Sequence, residues 1–375
     1  MRVGLLSPLF ESVPPKLYGG TERVVHNLAR GLTQNGVDVT VFASGDSHVP
    51  GILVPVVEES LRLHPERYPD PCAYNIKMLG DIAKQADDFD VLHNHHDYWM
   101  LPLSEMTRTP LLTTLHGRLD LQETRNTFMA FPNSYYTSIS DSQRTPLRDL
   151  HWLRTIYHGI DLKNFRYHER PGDYLAFLGR ITVEKRPELA IEIAKKSGVP
   201  LKIAAKIEGP ASQAYYDTYV KPHVDGKFIQ YVGEISESEK CDFLGQALAM
   251  VFPIDWPEPF GLVMIESLAC GTPVLARPLG AAAEILGEGI TGYSSLDVQT
   301  LARKVGEIGK ISRPACRRWV EEKFSLQRMT EDYIHVYQHL IQLARFRART
   351  SAGQRPHRHR WDFVHSLQRT ANGDS

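Results

Sequence analysis

Short apolar runs alternate with amphipathic segments along the first part of the chain, break at the polar stretch HERPGD (168–173), and start alternating again directly after it. Alternation of this kind calls for a parallel sheet covered by helices on both faces, and a second start calls for a second sheet. The length agrees, because 375 residues exceed the roughly 250–300 at which a single hydrophobic core stops growing. In the first half RVGLLS, VDVTVFAS, FDVLHNHH, PLLTTLHG, YYTSIS and TIYHGI read as strands, nearly continuous in apolar character as strands buried on both faces are. TERVVHNLARGLTQNG reads as a helix with Val24, Val25, Leu28, Ala29 and Leu32 on one stripe, Thr21 as N-cap and Gly36 as its stop. In the second half YLAFLGR, PLKIAAKI, KFIQYVGEI, AMVFPI and TPVLARP read as strands, with PELAIEIAKKSG, SEKCDFLGQA and GLVMIESLACG as helices between them. The expected fold class is α/β: two Rossmann-like, doubly wound parallel-sheet domains facing a cleft. Helical stretches follow from about residue 296 to 346, and the chain closes in a basic, aperiodic tail over 347–375 that is expected to be disordered.

A formal charge of −1 gives no global attraction to nucleic acid or to an anionic membrane, so any charged partner must meet a local cluster. Peripheral membrane contact is left to the tail, for which a solvated role is the simpler account. The four cysteines, Cys72, Cys241, Cys270 and Cys316, form no CxxC pair, which argues for a reducing compartment rather than a disulfide or zinc framework. The opening MRVGLLSP is too short an apolar run for a signal peptide, and no window reaches the roughly 18 apolar residues of a membrane span. A cytoplasmic protein is expected.

Ligands of open α/β sheets bind beyond the carboxyl ends of the strands, so the residues that follow each strand come first. Gly19 and Gly20 precede the first helix, where paired glycines let the backbone approach an anion, although a plain flexible turn explains them equally. They are not GxGxxG, so the nicotinamide fingerprint is absent. His116 ends an apolar strand, either as a hydrogen-bonded structural residue or as a group steering charge near a reacting sugar or phosphate. Arg180 and Lys185 offer a planar fork and a point charge suited to a diphosphate, with ordinary surface charge as the alternative. Glu258 stands in a turn above a helix that contains Glu266. Eight residues of helix would separate them by about 12 Å along the axis, more than the roughly 5–9.5 Å of a glycosidase carboxylate pair. Hydroxyl recognition suits them better than an acid and base pair. N–H groups near Phe260, Gly261, Leu262 and Val263 can hold phosphate or sugar oxygens. In FDVLHNHHDYW, strand alternation sends His93 and His95 to one face and His96 to the other, which disfavours a metal site. Asp87–Asp90 precede a strand at the wrong end for the crevice.

The ordered set YGGTERVVHNLARGL, HNHH, TLHG, SISDSQR, HGIDL, GRITVEK, YVGEIS, EPFGLVMIE, LGAAAEIL and TGYSS, spread over residues 1–340, resembles the retaining glycosyltransferases of family 4, which have the GT-B fold. The E-x7-E motif from Glu258 to Glu266 carries most of the likeness. The resemblance implies a nucleotide-sugar domain over 171–325, an acceptor-binding domain over 1–170, and a helix over 326–346 crossing back to the first domain. It implies that Glu258 holds donor-sugar hydroxyls and Glu266 the ribose hydroxyls. Arg180 and Lys185 would bind the diphosphate, with the backbone of Phe260, Gly261, Leu262 and Val263 on sugar and phosphates. Gly19 and Gly20 would approach the donor from the first domain, with His116 against the sugar. Val232, Gly233 and Ile235 would line the base pocket. The donor would be a UDP- or GDP-sugar, with no cofactor and no metal. Two positions depart from the family pattern: His158 replaces the usual Asn, and Ala281 stands where a second Gly is common. The rival readings are a nucleotide-sugar epimerase or hydrolase on the same fold, and a non-catalytic sugar-nucleotide sensor.

Overall fold

The computed structural model describes residues 1–16 and 19–351. Strands β1 (Arg2–Leu6), β2 (Asp38–Ser44), β3 (Ile52–Val57), β4 (Val91–Asn94), β5 (Leu111–Thr114), β6 (Tyr135–Ser138) and β7 (Trp152–Thr155) form one parallel sheet in the order β3-β2-β1-β4-β5-β6-β7. Strands β8 (Leu175–Arg180), β9 (Leu201–Lys206), β10 (Ile229–Gly233), β11 (Ala249–Phe252), β12 (Val274–Ala276) and β13 (Gly292–Ser294) form a second, β10-β9-β8-β11-β12-β13. In each sheet the strand order reverses beside the first strand, between β1 and β4 and between β8 and β11. That reversal opens a crevice at the carboxyl ends, where ligands of such sheets bind.

Alternation along the strands explains how both faces are filled. Leu5 packs on one face of the first sheet with Val24, Val25 and Leu28 of the helix Gly20–Gln34. Leu6 points the other way, to Phe42 and to Met78 and Ile82 of the helix Pro71–Gln85. The second sheet has its own core, with Leu175, Phe177, Ile203 and Val251 against Ile191, Ile265 and Leu268. The long closing helix Leu326–Ser351 returns to the first sheet, where Met329, Tyr333, Tyr337 and Leu340 join its core. It runs five residues past the expected boundary at 346; residues 352–375 of the expected tail lie outside the described residues. No helix among the described residues is long and apolar enough to cross a membrane.

Several local expectations are corrected. TIYHGI is not a strand: β7 ends at Thr155, and Tyr157 instead packs against Phe260 and Phe324, with ring centroids 6.3 and 5.7 Å away. Ile156 still packs in the core of the first sheet, whereas Tyr157 and Ile160 pack against the second half. Thr21 is not the N-cap; the helix begins at Gly20 with Gly19 as its cap, which makes no side-chain capping bond. β3 escaped notice because Pro55 interrupts ILVPVV, which an edge strand tolerates.

Candidate active site

The carboxyl ends of the two sheets enclose a cleft of about 450 Å³. From the first half, Gly19 and Gly20 border it at the start of the first helix, and His116 borders it just past β5. From the second half come Arg180 at the end of β8, Lys185, Ile235, Glu258, Phe260, Gly261, Leu262, Val263 and Glu266. Val232 and Gly233 do not border it. Gly233, at φ 81°, lies where β10 shifts register against β9, so Val232 is turned to solvent and the chain re-enters the cleft at Glu234 and Ile235.

The stretch EPFGLVMIE divides at Gly261. A φ of 87° there favours glycine and sets the start of the helix Leu262–Ala269, with Glu258 outside it and Glu266 buried within it. Glu258 is 8% exposed, and its Oε2 accepts from Lys185 Nζ at 2.6 Å and from Trp256 Nε1 at 2.8 Å. Lys185 is therefore held on Glu258, with its ammonium 5.4 Å from the ring centroids of both Phe252 and Trp256. The Glu258 backbone rests on Gly280: Ala281 N–H donates to Glu258 O at 2.8 Å, and a Cβ on Gly280 would lie 2.4 Å from both N and O of Glu258. With φ at 62°, Gly280 has no cheap substitute. Gly280→Ala is expected to lower transfer about 10²-fold by displacing Glu258, checked by steady-state kinetics alongside a thermal midpoint that confirms folding.

Glu266 meets a cation that the sequence reading overlooked. Lys240 Nζ lies 3.0 Å from Glu266 Oε1 and 3.0 Å from Glu237 Oε2, and Glu237 in turn pairs with Arg23 of the first half at 2.7 Å. The other oxygen of Glu266, Oε2, is buried with no hydrogen-bond partner among the described residues. A buried acceptor without a donor is costly, so this oxygen suits a hydroxyl donor supplied by a ligand. Lys240 sits three residues after Glu237 on one helix, a spacing visible in the sequence but shared by many surface pairs.

Behind His116 lies a chain of buried imidazoles. His116 Nε2 is 2.9 Å from His95 Nδ1, His95 Nε2 is 3.2 Å from His93 Nδ1, and His93 reaches Tyr337 Oη at 2.6 Å and Thr114 Oγ1 at 2.7 Å. His96 points elsewhere, to Asn75 Oδ1 at 2.9 Å. Burial pushes His116 down to about 3 and His96 to about 4, and lowers His93 and His95 well below the usual range. His116 thus meets the cleft as a neutral imidazole. In that form it offers the cleft hydrogen bonds. His158 stacks on His116 with centroids 5.2 Å apart and packs edge-on against Phe260 at 4.8 Å, so it belongs to the cleft wall. Among the described residues no group of three His, Cys, Asp or Glu side chains is placed to hold a metal ion.

The remaining cleft residues carry charge from the first half. Glu22, in the first turn after Gly20, is buried and pushed up to about 7 by desolvation; Arg62 pairs with Glu11 at 2.8 Å and with Glu208 across the cleft. On the opposite side Ser140 Oγ donates to Pro259 O at 2.7 Å, and Glu284 accepts from the N–H groups of Asp141 and Ser142 at 2.8 and 2.6 Å. These bonds join SISDSQR of the first half to Pro259 and to LGAAAEIL of the second beside the site.

Comparison with known proteins bears on the family and the fold. Residues 18–164 match the family Glycosyltransferase Family 4, and residues 163–324 match Glycosyl transferases group 1. The chain is 26% identical to the D-inositol 3-phosphate glycosyltransferase of Mycobacterium marinum, over 73% of this chain and 69% of that one. It is also 26% identical to the protein of that name from Frankia alni, over 73% and 81%. Among solved structures, sucrose-phosphate synthase of Thermosynechococcus elongatus superposes with a TM-score of 0.75 at 18% identity, covering 92% of this chain and all of that one (100%). AviGT4, a glycosyltransferase involved in avilamycin A biosynthesis, gives 0.70 at 23%, covering 91% and 98%. Anabaena HepE in complex with UDP-glucose gives 0.69 at 16%, covering 90% and 100%.

Proposed function

Since the chain belongs to glycosyltransferase family 4 and has the GT-B fold, we propose that it moves a hexosyl group from a nucleoside-diphosphate sugar to an acceptor hydroxyl, with retention of anomeric configuration and without a metal ion. The observation that carries this reading is the partnerless, buried Oε2 of Glu266 in the same cleft as Arg180 and Lys185. Ribose hydroxyls complete the carboxylate, and a diphosphate meets the two cations. Glu258, fixed from one side by Lys185 and Trp256, receives hydroxyls of the transferred sugar. The named ligands of Anabaena HepE, UDP and UDP-glucose, make uridine donors the first choice and guanosine donors the second.

In the reaction the bond between the sugar's anomeric carbon and the diphosphate breaks, and negative charge gathers on the departing phosphate. Arg180, Lys185 and the N–H groups at the start of the helix Leu262–Ala269 stabilise that charge without having to reorganise. The acceptor oxygen bonds to the anomeric carbon on the face the diphosphate leaves, and its proton passes to the diphosphate. Neutral His116 orients the sugar from the first half. Enclosure between the two halves keeps water from competing with the acceptor.

The test is incubation with UDP-glucose, UDP-galactose and GDP-mannose, alone and with phosphorylated polyols, the acceptor class named by the curated relatives. Expected is nucleoside diphosphate release that rises with acceptor, persists in EDTA, and gives a product whose anomeric coupling in NMR matches the donor. Full-rate donor turnover without acceptor would instead make the protein a hydrolase or epimerase. Binding without any turnover would make it a sensor.

A further inference from the structure

The segment DWPEPF raises a question that the two glutamates leave open: what a half-buried tryptophan does two residues before Glu258. Pro257 and Pro259 each hold the residue before them in an extended conformation, and side chains two apart on an extended chain point the same way. Trp256 and Glu258 are therefore brought side by side by the sequence itself. The indole Nε1–H donates to Glu258 Oε2 at 2.8 Å, on the same oxygen that accepts from Lys185 Nζ at 2.6 Å. Among the described residues Oε1 accepts no hydrogen bond, so the carboxylate has one oxygen committed to the protein and one presented to the cleft.

Two cations lie against the ring. Lys185 Nζ lies 5.4 Å from its centroid, and the guanidinium of Arg118, carried on the loop of the first half just after His116, lies 6.0 Å from it. Arg118 is itself fixed by two bonds to Asp120, each 2.7 Å. Trp256 thus neighbours a cation of the second half and a cation of the first, while its N–H bonds to the carboxylate of Glu258.

We infer that Trp256 is a positioning residue that locks Glu258 as a one-oxygen acceptor and so sets which donor-sugar hydroxyl arrangement the site selects. The inference rests on the donor-site reading above. A locked carboxylate rewards a hydroxyl at one place and penalises an epimer whose hydroxyl lies elsewhere. Released from the indole, Glu258 can swing to meet either. An indole N–H cannot accept, so a sugar hydroxyl that donates must go to Oε1.

Trp256→Phe keeps an aromatic ring and removes the N–H; Trp256→Leu removes both. Calorimetric titration of wild type and both variants with UDP, UDP-glucose and UDP-galactose separates the roles, with GDP and GDP-sugars used if wild type prefers guanosine. The expected result is UDP affinity within about twofold of wild type in both variants, and a collapse by about tenfold or more in the ratio of affinities for the two epimeric sugars, the size of a hydrogen bond to a charged group. The collapse is equal in Phe and Leu. An unchanged epimer ratio in Trp256→Phe overturns the inference, as does a wild type that does not discriminate the epimers. A loss of UDP affinity as large as that for the sugars also overturns it, because Trp256 would then serve the diphosphate or the fold. A wild type that binds no nucleoside diphosphate overturns the donor-site reading itself, a result distinct from all of these.

Discussion

Lys185→Met lowers kcat/KM for transfer by about 10²- to 10³-fold, the scale on which one preorganised charge acts on a departing anion. Methionine keeps the apolar stem between the rings of Phe252 and Trp256, so the loss isolates the ammonium. Two effects combine. The diphosphate loses a cation, and the carboxylate of Glu258, 8% exposed, loses its partner at 2.6 Å. Glu258→Gln lowers transfer on a similar scale but leaves affinity for free nucleoside diphosphate unchanged, whereas Lys185→Met weakens both. Because the two side chains share one contact, the double variant is less impaired than the two single losses multiplied. Steady-state kinetics and diphosphate titration on the three variants decide it. A loss below about threefold in Lys185→Met would mean that its ammonium serves only to balance Glu258.

Acid is the second large lever. His93, His95, His96 and His158 are buried and His116 is partly so, and desolvation holds each of them below the usual histidine range. A base whose folded-state pKa is depressed leaves the unfolded chain with more protons, so stability is intact above pH 6.5 and falls as the pH drops through the unfolded value. At pH 5 each such group costs roughly 2 kcal/mol, so five together rival the whole stability of a typical domain, about 5–15 kcal/mol. Glu22, buried and raised to about 7, takes up a proton in the folded state and offsets part of this loss. Urea midpoints measured from pH 8 to pH 5 are expected to fall steeply below 6.5, with net proton uptake on unfolding. A flat profile over that range would show that the imidazoles are not sequestered as the structure places them.

The sequence was most legible where local chemistry and tertiary position agree. The apolar runs of β1, β2, β8 and β11 are buried on both faces, so their composition alone marks them, and the carboxyl-end rule then brings Arg180 and His116 to one cleft. Gly261 ahead of an apolar stripe marks, in the sequence alone, the boundary between a turn glutamate and a helical one. What escaped depends on contacts between distant segments. TIYHGI has the composition of a strand, yet Tyr157, partly buried, and His158, buried, pack against Phe260 where the two halves meet. Lys240 and Trp256 gain meaning only when Glu266 and Glu258 are placed beside them, and neither residue type is diagnostic alone. The surroundings of His116 are set by His95 and His158, which no local window brings to it. β3 hid behind Pro55, which is tolerated because that strand lies at the sheet edge.

At the centre stands the assignment of the cleft to a nucleoside diphosphate, with Glu266 on the ribose. Isothermal titration of UDP and GDP into wild type and Glu266→Gln, with the 2′,3′-dideoxy nucleotides as controls, tests it most directly. Expected is saturable binding of at least one of the two diphosphates at one site per chain, weakened by about tenfold or more in Glu266→Gln, with the dideoxy nucleotide binding both proteins equally and weakly. Absence of binding by either diphosphate, or a Glu266→Gln variant that binds the ribonucleotide as tightly as wild type, would contradict it.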